Sequence, residues 1–224
     1  MKSAIFAVLL GATFSSGAMA QPVTVVELYQ SQGCSSCPPA IRNVNALADK
    51  PNLLPLIFAV TYWDRLGWKD TFARPEFTNR QWAYAHGLHN PEVYTPQVVV
   101  NGQKDLTGGN PAELAKALRD AKPVSGPAIA IEAGKIRVGA GASTKADVWL
   151  VRYDPRTINV EIGAGENSGV TIAHRNVVHQ LIRLGAWQGA AQSFAIPPNP
   201  EKAWRTAVLV QGEDGKAIIG AALL

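Results

Sequence analysis

A chain of 224 residues with 47% hydrophobic and 17% charged side chains is long enough to bury a sizeable core and too apolar to stay unfolded. Its 21 Lys and Arg face 17 Asp and Glu, yet no basic run or basic-aromatic stripe occurs, which argues against nucleic acid as a partner. Its two cysteines, Cys34 and Cys37, close almost no loop between them, so a purely structural staple is disfavoured.

Met1-Lys2-Ser3 is a short positive start, Ala4 to Phe14 is an almost wholly apolar run, and Ala18-Met19-Ala20 places small residues where a signal peptidase cleaves. Residues 1–20 therefore read as a signal peptide that ends at the Ala20-Gln21 bond. The run falls short of the roughly 20 apolar residues that span a bilayer, so no membrane span is expected after cleavage. A periplasmic or secreted location follows, an oxidising compartment in which disulfides persist.

Val23 to Tyr29 is rich in β-branched and aromatic residues and breaks at Ser31-Gln32-Gly33, which predicts a strand entering a loop. Cys34 follows at once. Pro38 and Pro39 suit a first helical turn, and Ile41, Val44 and Leu47 keep helical spacing. Leu53 to Val60 is a nearly continuous apolar run, as expected of a parallel strand covered on both faces. A crossover between the two strands brings Tyr29-Gln30 and Thr61-Tyr62-Trp63 to the edge that carries Cys34, with Trp63-Asp64 as a candidate groove wall. Pro75 to Leu88 reads as a second helix, Val98 to Val100 as a hairpin strand with Pro96 before it, and Asn110-Pro111-Ala112-Glu113 as the start of a third helix.

The Pro/Gly stretch from Ala121 to Pro127 marks a domain boundary, giving a first domain over 21–122 and a second over 127–224. Beyond it, short alternating stretches at Ile129-Ala130-Ile131, 148–153, 158–162, 204–210 and 217–222 are separated by turn residues, the pattern of a small β-sandwich. Thr171 to Leu184 fits a helix about as well as a strand, and its context favours strand.

Cys-x-x-Cys beside a strand-helix-strand pattern reads first as a redox dithiol. Cys34, just ahead of the helix, would have its thiolate favoured by unpaired N–H groups and by the helix dipole, while Cys37, one turn in, would resolve a mixed disulfide. Ser35 and Ser36 can donate to the Cys34 thiolate but bring no positive charge. Glu27 in a doubly covered strand is either a buried acid able to relay protons to Cys37, or a residue at an exposed edge or paired with a lysine.

The run Val26-Glu27-Leu28-Tyr29-Gln30-Ser31-Gln32-Gly33-Cys34-Ser35-Ser36-Cys37-Pro38-Pro39 resembles the signature of a family of secreted bacterial proteins of unknown function with a thioredoxin-like fold. Tyr62 to Asp70, Val93 to Gln97, Gly165-Glu166-Asn167 and His174 to Val178 resemble its later blocks. The resemblance implies an α/β thioredoxin-like N-terminal domain followed by the small C-terminal β-sandwich. A looser similarity to thioredoxins proper implies a site of Glu27, Cys34, Cys37 and a cis Pro96, with the Thr95 backbone free to pair with an extended substrate. Ser-Ser stands where thioredoxins have Gly-Pro, which leaves the direction of electron flow open.

An exported thiol-disulfide oxidoreductase acting on protein or small-molecule thiols and disulfides is the leading expectation, and its chemistry calls for no cofactor. A copper or other metal delivery protein is the alternative, using the cysteines with His86 and His89 or with His174 and His179, although no methionine remains in the mature chain to supply a thioether. In a third reading the dithiol is a redox sensor in a binding module, with Glu166-Asn167 and His174-Arg175-Asn176 as its polar site.

Overall fold

The structure, a computed structural model, describes residues 22–142 and 144–224; the signal peptide expected over 1–20 lies outside the described residues. Strand β1 (Thr24–Gln30) is buried along its whole length, as its β-branched and aromatic composition requires. It runs parallel to β2 (Leu53–Ala59), in register from Thr24 opposite Leu53 to Gln30 opposite Ala59. Helix α1 (Cys37–Asn45) makes the crossover, with Pro38 and Pro39 in its first turn, where no intrahelical N–H bond is lost.

Helix α2 (Pro75–Gly87) follows, then β3 (Gln97–Val100) antiparallel to β1, β4 (Lys104–Leu106) and α3 (Pro111–Asp120). The Asn110 carboxamide caps α3, accepting from the N–H groups of Ala112 and Glu113 at 2.9 and 3.4 Å. Successive β1 side chains point to opposite faces. Val26 and Leu28 pack with Ile41 and Leu114 of α1 and α3, while Val25 and Tyr29 pack with Phe77 and Tyr84 of α2.

The second half is all strand: β5 (Ile129–Glu132), β6 (Lys135–Val138), β7 (Ala146–Asp154), β8 (Ile158–Glu161), β9 (Thr171–His174), β10 (Val177–Trp187), β11 (Gln192–Ala195), β12 (Arg205–Gly212) and β13 (Ile218–Leu223). These strands do not close a free-standing sandwich. Four of them extend the first sheet, giving one mixed eight-stranded sheet in the order β13-β12-β7-β10-β2-β1-β3-β4. A three-stranded sheet, β11-β6-β5, covers part of that extension around Trp187, Leu150 and Val208. The join is parallel, at Val177 opposite Ile57. The Ile57 N–H donates to the Asn176 oxygen at 3.0 Å and the Asn176 carboxamide donates to the Pro55 oxygen at 2.8 Å. Pro55, which has no N–H to give a ladder, lies just ahead of the point where β10 begins to pair.

The pair β8-β9 stands apart from both sheets. Ile162 and Ile172 of this unit pack with Ile41 and Val44, so the hairpin lies on the α1 side. Among the described residues, no helix is long and apolar enough to cross a membrane.

Candidate redox site

At the end of β1 the chain turns through Ser31-Gln32-Gly33, and the Cys34 N–H donates to the Ser31 oxygen at 3.1 Å. Cys37 opens α1, its N–H donating to the Cys34 oxygen at 3.1 Å. The two sulfurs are joined in a disulfide, with Cα atoms 5.4 Å apart. Both cysteines have 0% exposure and belong to the core shared by α1, β1 and the β8-β9 unit.

Two hydroxyls reach the Cys34 sulfur. Ser36 Oγ lies 3.3 Å from Sγ, and Thr95 Oγ1 donates to it, also at 3.3 Å. The Thr95 hydroxyl accepts in turn from the Trp63 indole N–H at 2.7 Å. An indole can only donate, so this bond leaves the Thr95 proton free to point at sulfur. The Thr95-Pro96 peptide bond is cis, and Pro96 is buried at the start of β3. Cys34, Cys37, Thr95 and Pro96 are thus brought to one end of the sheet, with Trp63 as a wall. The Ser35 side chain is exposed, and its main-chain N–H serves a residue far along the sequence.

That residue is Glu166, in the loop between β8 and β9, whose Oε2 accepts from Ser35 N at 3.0 Å. Hydrogen bonds from Ser35 hold the Glu166 carboxyl below its ordinary value. Its neighbour Asn167 is buried and donates to the main-chain oxygens of Gln32 and Cys34 at 2.8 and 2.9 Å. The loop also rests on Trp68: a Cβ at Gly163 would come 3.1 Å from the indole, and Gly165, at φ +77°, would place one 3.3 Å from the Trp68 Cβ. Glycine permits both the approach and the positive φ. The Trp68 N–H donates to Gln32 Oε1 at 2.9 Å, which fixes the turn ahead of Cys34.

A buried acid also holds that turn. Asp70 Oδ2 accepts from Gln32 N at 2.7 Å and Oδ1 accepts from Phe72 N at 2.8 Å. Burial pushes the Asp70 carboxyl up to about 6, against the stabilising pull of these N–H groups.

Glu27 lies elsewhere. It is fully buried, and its Oε1 accepts from Arg80 Nε at 2.9 Å while the Tyr84 hydroxyl donates to Oε2. It shares strand parity with Val25 and Tyr29 and meets α2, so its side chain points into the layer opposite the disulfide. A proton relay from Glu27 to Cys37 is therefore corrected: the sheet separates the two, and the carboxylate is tied to a guanidinium. The partner is an arginine in the core, neither an edge solvent nor a lysine.

The candidate histidines fall in two places, with His174 and His179 both against the Phe72 ring, the latter edge-on at 5.8 Å. His86 and His89 are exposed at and just beyond the end of α2. Burial lowers the His174 imidazole to about 4, leaving it neutral, and its ring meets the Phe72 ring edge-on at 5.6 Å. Among the described residues, no group of three or more His, Cys, Asp or Glu is placed to hold a metal ion.

Sequence reasoning found the dithiol and the Thr95-Pro96 corner but missed Gln32, Trp68 and Asp70 as its supports. It offered Glu166-Asn167 only as a separate polar site, whereas the structure lays them on the dithiol loop. Residues 131 and more positions apart leave no local signal of such a contact.

A crystal structure of an Agrobacterium tumefaciens protein is similar, with 31% identity and a TM-score of 0.74 over 91% of this chain and 95% of that one. HBP35 of Porphyromonas gingivalis shares 16% identity and a TM-score of 0.54 over 93% of this chain and 76% of its own, a likeness of fold alone. No curated protein matches. The model of the family described as protein of unknown function (DUF1223) matches residues 25–211, and the chain belongs to that family.

Proposed function

We propose that this protein is an exported thiol-disulfide oxidoreductase built on a thioredoxin-like unit over residues 21–122, with residues 127–224 supplying the cover of its dithiol. The observation that carries this reading is the Cys34–Cys37 disulfide at the mouth of α1, with the Ser36 and Thr95 hydroxyls 3.3 Å from the Cys34 sulfur. Support for the unit comes from the strand order β2-β1-β3-β4, with α1 and α3 on one face and α2 on the other. Export rests on the sequence of residues 1–20.

In one direction a partner thiolate attacks the Cys34 sulfur, the disulfide breaks, and Cys37 leaves as a thiolate that takes up a proton. The partner's second thiolate then attacks its own sulfur in the mixed disulfide and frees Cys34. The partner dithiol is oxidised by two electrons and the protein disulfide is reduced by two; the reverse sequence reduces a partner disulfide. Hydroxyls aimed at sulfur stabilise Cys34 as attacking or leaving thiolate.

The test is Cys37→Ser produced in an exporting host, with capture of proteins disulfide-linked to Cys34, alongside insulin reduction by the wild type with dithiothreitol. Mixed disulfides and Cys34-dependent turnover are expected. Absence of both would overturn the enzyme reading. It would favour a second one, a redox sensor or stabilising disulfide, for which the complete burial of both cysteines speaks.

A further inference from the structure

Cys34 lies between two main-chain N–H groups that already serve carboxylates. On one side Gln32 N donates to Asp70 at 2.7 Å, and on the other Ser35 N donates to Glu166 at 3.0 Å. The first turn of α1 carries no acid of its own. The Ser35 N–H lies one residue ahead of the Ser36 N-cap of α1, close to the positive end of the helix dipole, where a donor and that field would otherwise favour a thiolate. Glu166 takes that donor and brings a negative charge to the same place.

We propose that Glu166 is a positioning residue that disfavours the Cys34 thiolate while the β8-β9 loop is closed, so that a partner which lifts the loop also activates the sulfur. This deepens the oxidoreductase reading and rests on it. Lifting the loop removes the carboxylate, frees the Ser35 N–H for Cys34 and uncovers a disulfide that is otherwise sealed. An extended peptide suits the vacated place, because Asn167 serves the Gln32 and Cys34 oxygens with amide donors and Glu166 serves Ser35 N with an acceptor, the two functions a peptide backbone offers.

The charged and titratable groups on the elements around Cys34 are Tyr62, Asp64, Arg65, Lys69 and Asp70 after β2, Arg42 on α1, and Glu161, Glu166, His174 and Arg175 on or beside the β8-β9 unit. The turn into β3 carries Glu92 and Tyr94, and its residue in contact with the Cys34 sulfur, Thr95, is uncharged. Of these groups, Glu166 and Asp70 hydrogen-bond the backbone that flanks Cys34, and Glu166 is the exposed one, able to leave.

The experiment is a pH titration of thiolate ultraviolet absorbance in Cys37→Ser protein, where Cys34 is the sole thiol, with and without Glu166→Gln. Glutamine keeps an oxygen for Ser35 N and removes the charge. The Cys34 midpoint is expected to fall by about half a unit to one unit, a modest shift because solvent screens an exposed carboxylate. Glu166→Asp, which keeps the charge but is one methylene shorter, is expected to stay nearer the parent value. A midpoint that is unmoved or raised in Glu166→Gln would overturn the proposal. So would the reverse ranking, with Gln silent and Asp shifted, which marks a purely structural clamp. The readout needs no substrate, so a failure of insulin turnover, which would sink the enzyme reading, is distinguishable from a failure here.

Discussion

The Asn167 carboxamide bridges the main-chain oxygens of Gln32 and Cys34, at 2.8 and 2.9 Å, and so pins the β8-β9 loop to the dithiol across more than 130 residues of sequence. Each bond is modest in net terms, but losing the donor leaves the Gln32 carbonyl under a closed loop without its partner, while the Cys34 carbonyl keeps only the Cys37 N–H. Asn167→Ala is expected to lower stability by about 1–3 kcal/mol and to speed reduction of the disulfide by dithiothreitol roughly tenfold, as about 1.4 kcal/mol of easier loop opening implies. Stopped reactions with alkylation of the released thiols measure the rate. An unchanged rate beside a lowered stability would show that reduction does not pass through loop opening.

Thr95 relays a hydrogen bond from Trp63 to the Cys34 sulfur. Thr95→Val keeps the shape and removes the donor. A hydrogen bond to a charged group contributes about 1.5–3 kcal/mol, so the Cys34 thiol in the reduced protein is expected to titrate about one unit higher. The same substitution leaves the Trp63 N–H unserved, and a partial loss of indole order, seen as a change in tryptophan fluorescence, accompanies it. A Cys34 midpoint that stays in place would assign the Thr95 contact to packing alone.

The parts that sequence made legible are those fixed by local chemistry. β-branched runs gave β1 and β2, the proline pair gave the start of α1, and Asn110 gave the cap of α3, because each follows from a few adjacent residues. The segment 171–184, balanced between helix and strand, became β9 and β10, and its pairing with β7 and β2 decided the matter. Sheet membership was not legible. Nothing local in Val177 says that it pairs with Ile57 of the first half, so strands that alternate like a sandwich were free to extend an existing sheet instead. Glu27 illustrates the same limit: the strand pattern left open whether it is buried or at an edge, and both its burial and the face it occupies are set by Arg80 and Tyr84, 53 and 57 residues further along the chain.

Glu27, Arg80 and Tyr84 form a charged knot in the α2 layer, with the guanidinium 5.2 Å from the Tyr84 ring and 5.5 Å from that of Trp149 on β7. Removing one member of a buried pair leaves the other charge stranded, an effect of about 3–5 kcal/mol. Arg80→Met is expected to lose that much in urea unfolding, and Glu27→Gln in the same chain to recover the larger part. Because the sheet lies between this knot and the cysteines, the double variant is expected to leave the Cys34 titration unmoved. A shift there would reinstate Glu27 as a partner of the dithiol.

Asp70 offers a pH signature of its own. Burial raises its carboxyl from the ordinary value of 3.8 to about 6, with the neighbouring Asp64 adding to the rise. An acid whose folded value exceeds its unfolded one contributes stability in full below the unfolded value and loses it as pH climbs through the folded one. Wild-type protein is therefore expected to lose on the order of 3 kcal/mol from this group between roughly pH 4 and pH 7. Asp70→Asn does not titrate, although its amide cannot accept from both Gln32 and Phe72 and so is less stable by a constant amount. Urea unfolding of the two proteins across this range should show the gap between them narrowing as pH rises, because the wild type alone must ionise a buried carboxyl. A gap that stays flat or widens would mean that the Gln32 and Phe72 N–H groups outweigh burial, and that Asp70 holds the turn before Cys34 as a fully stabilised anion.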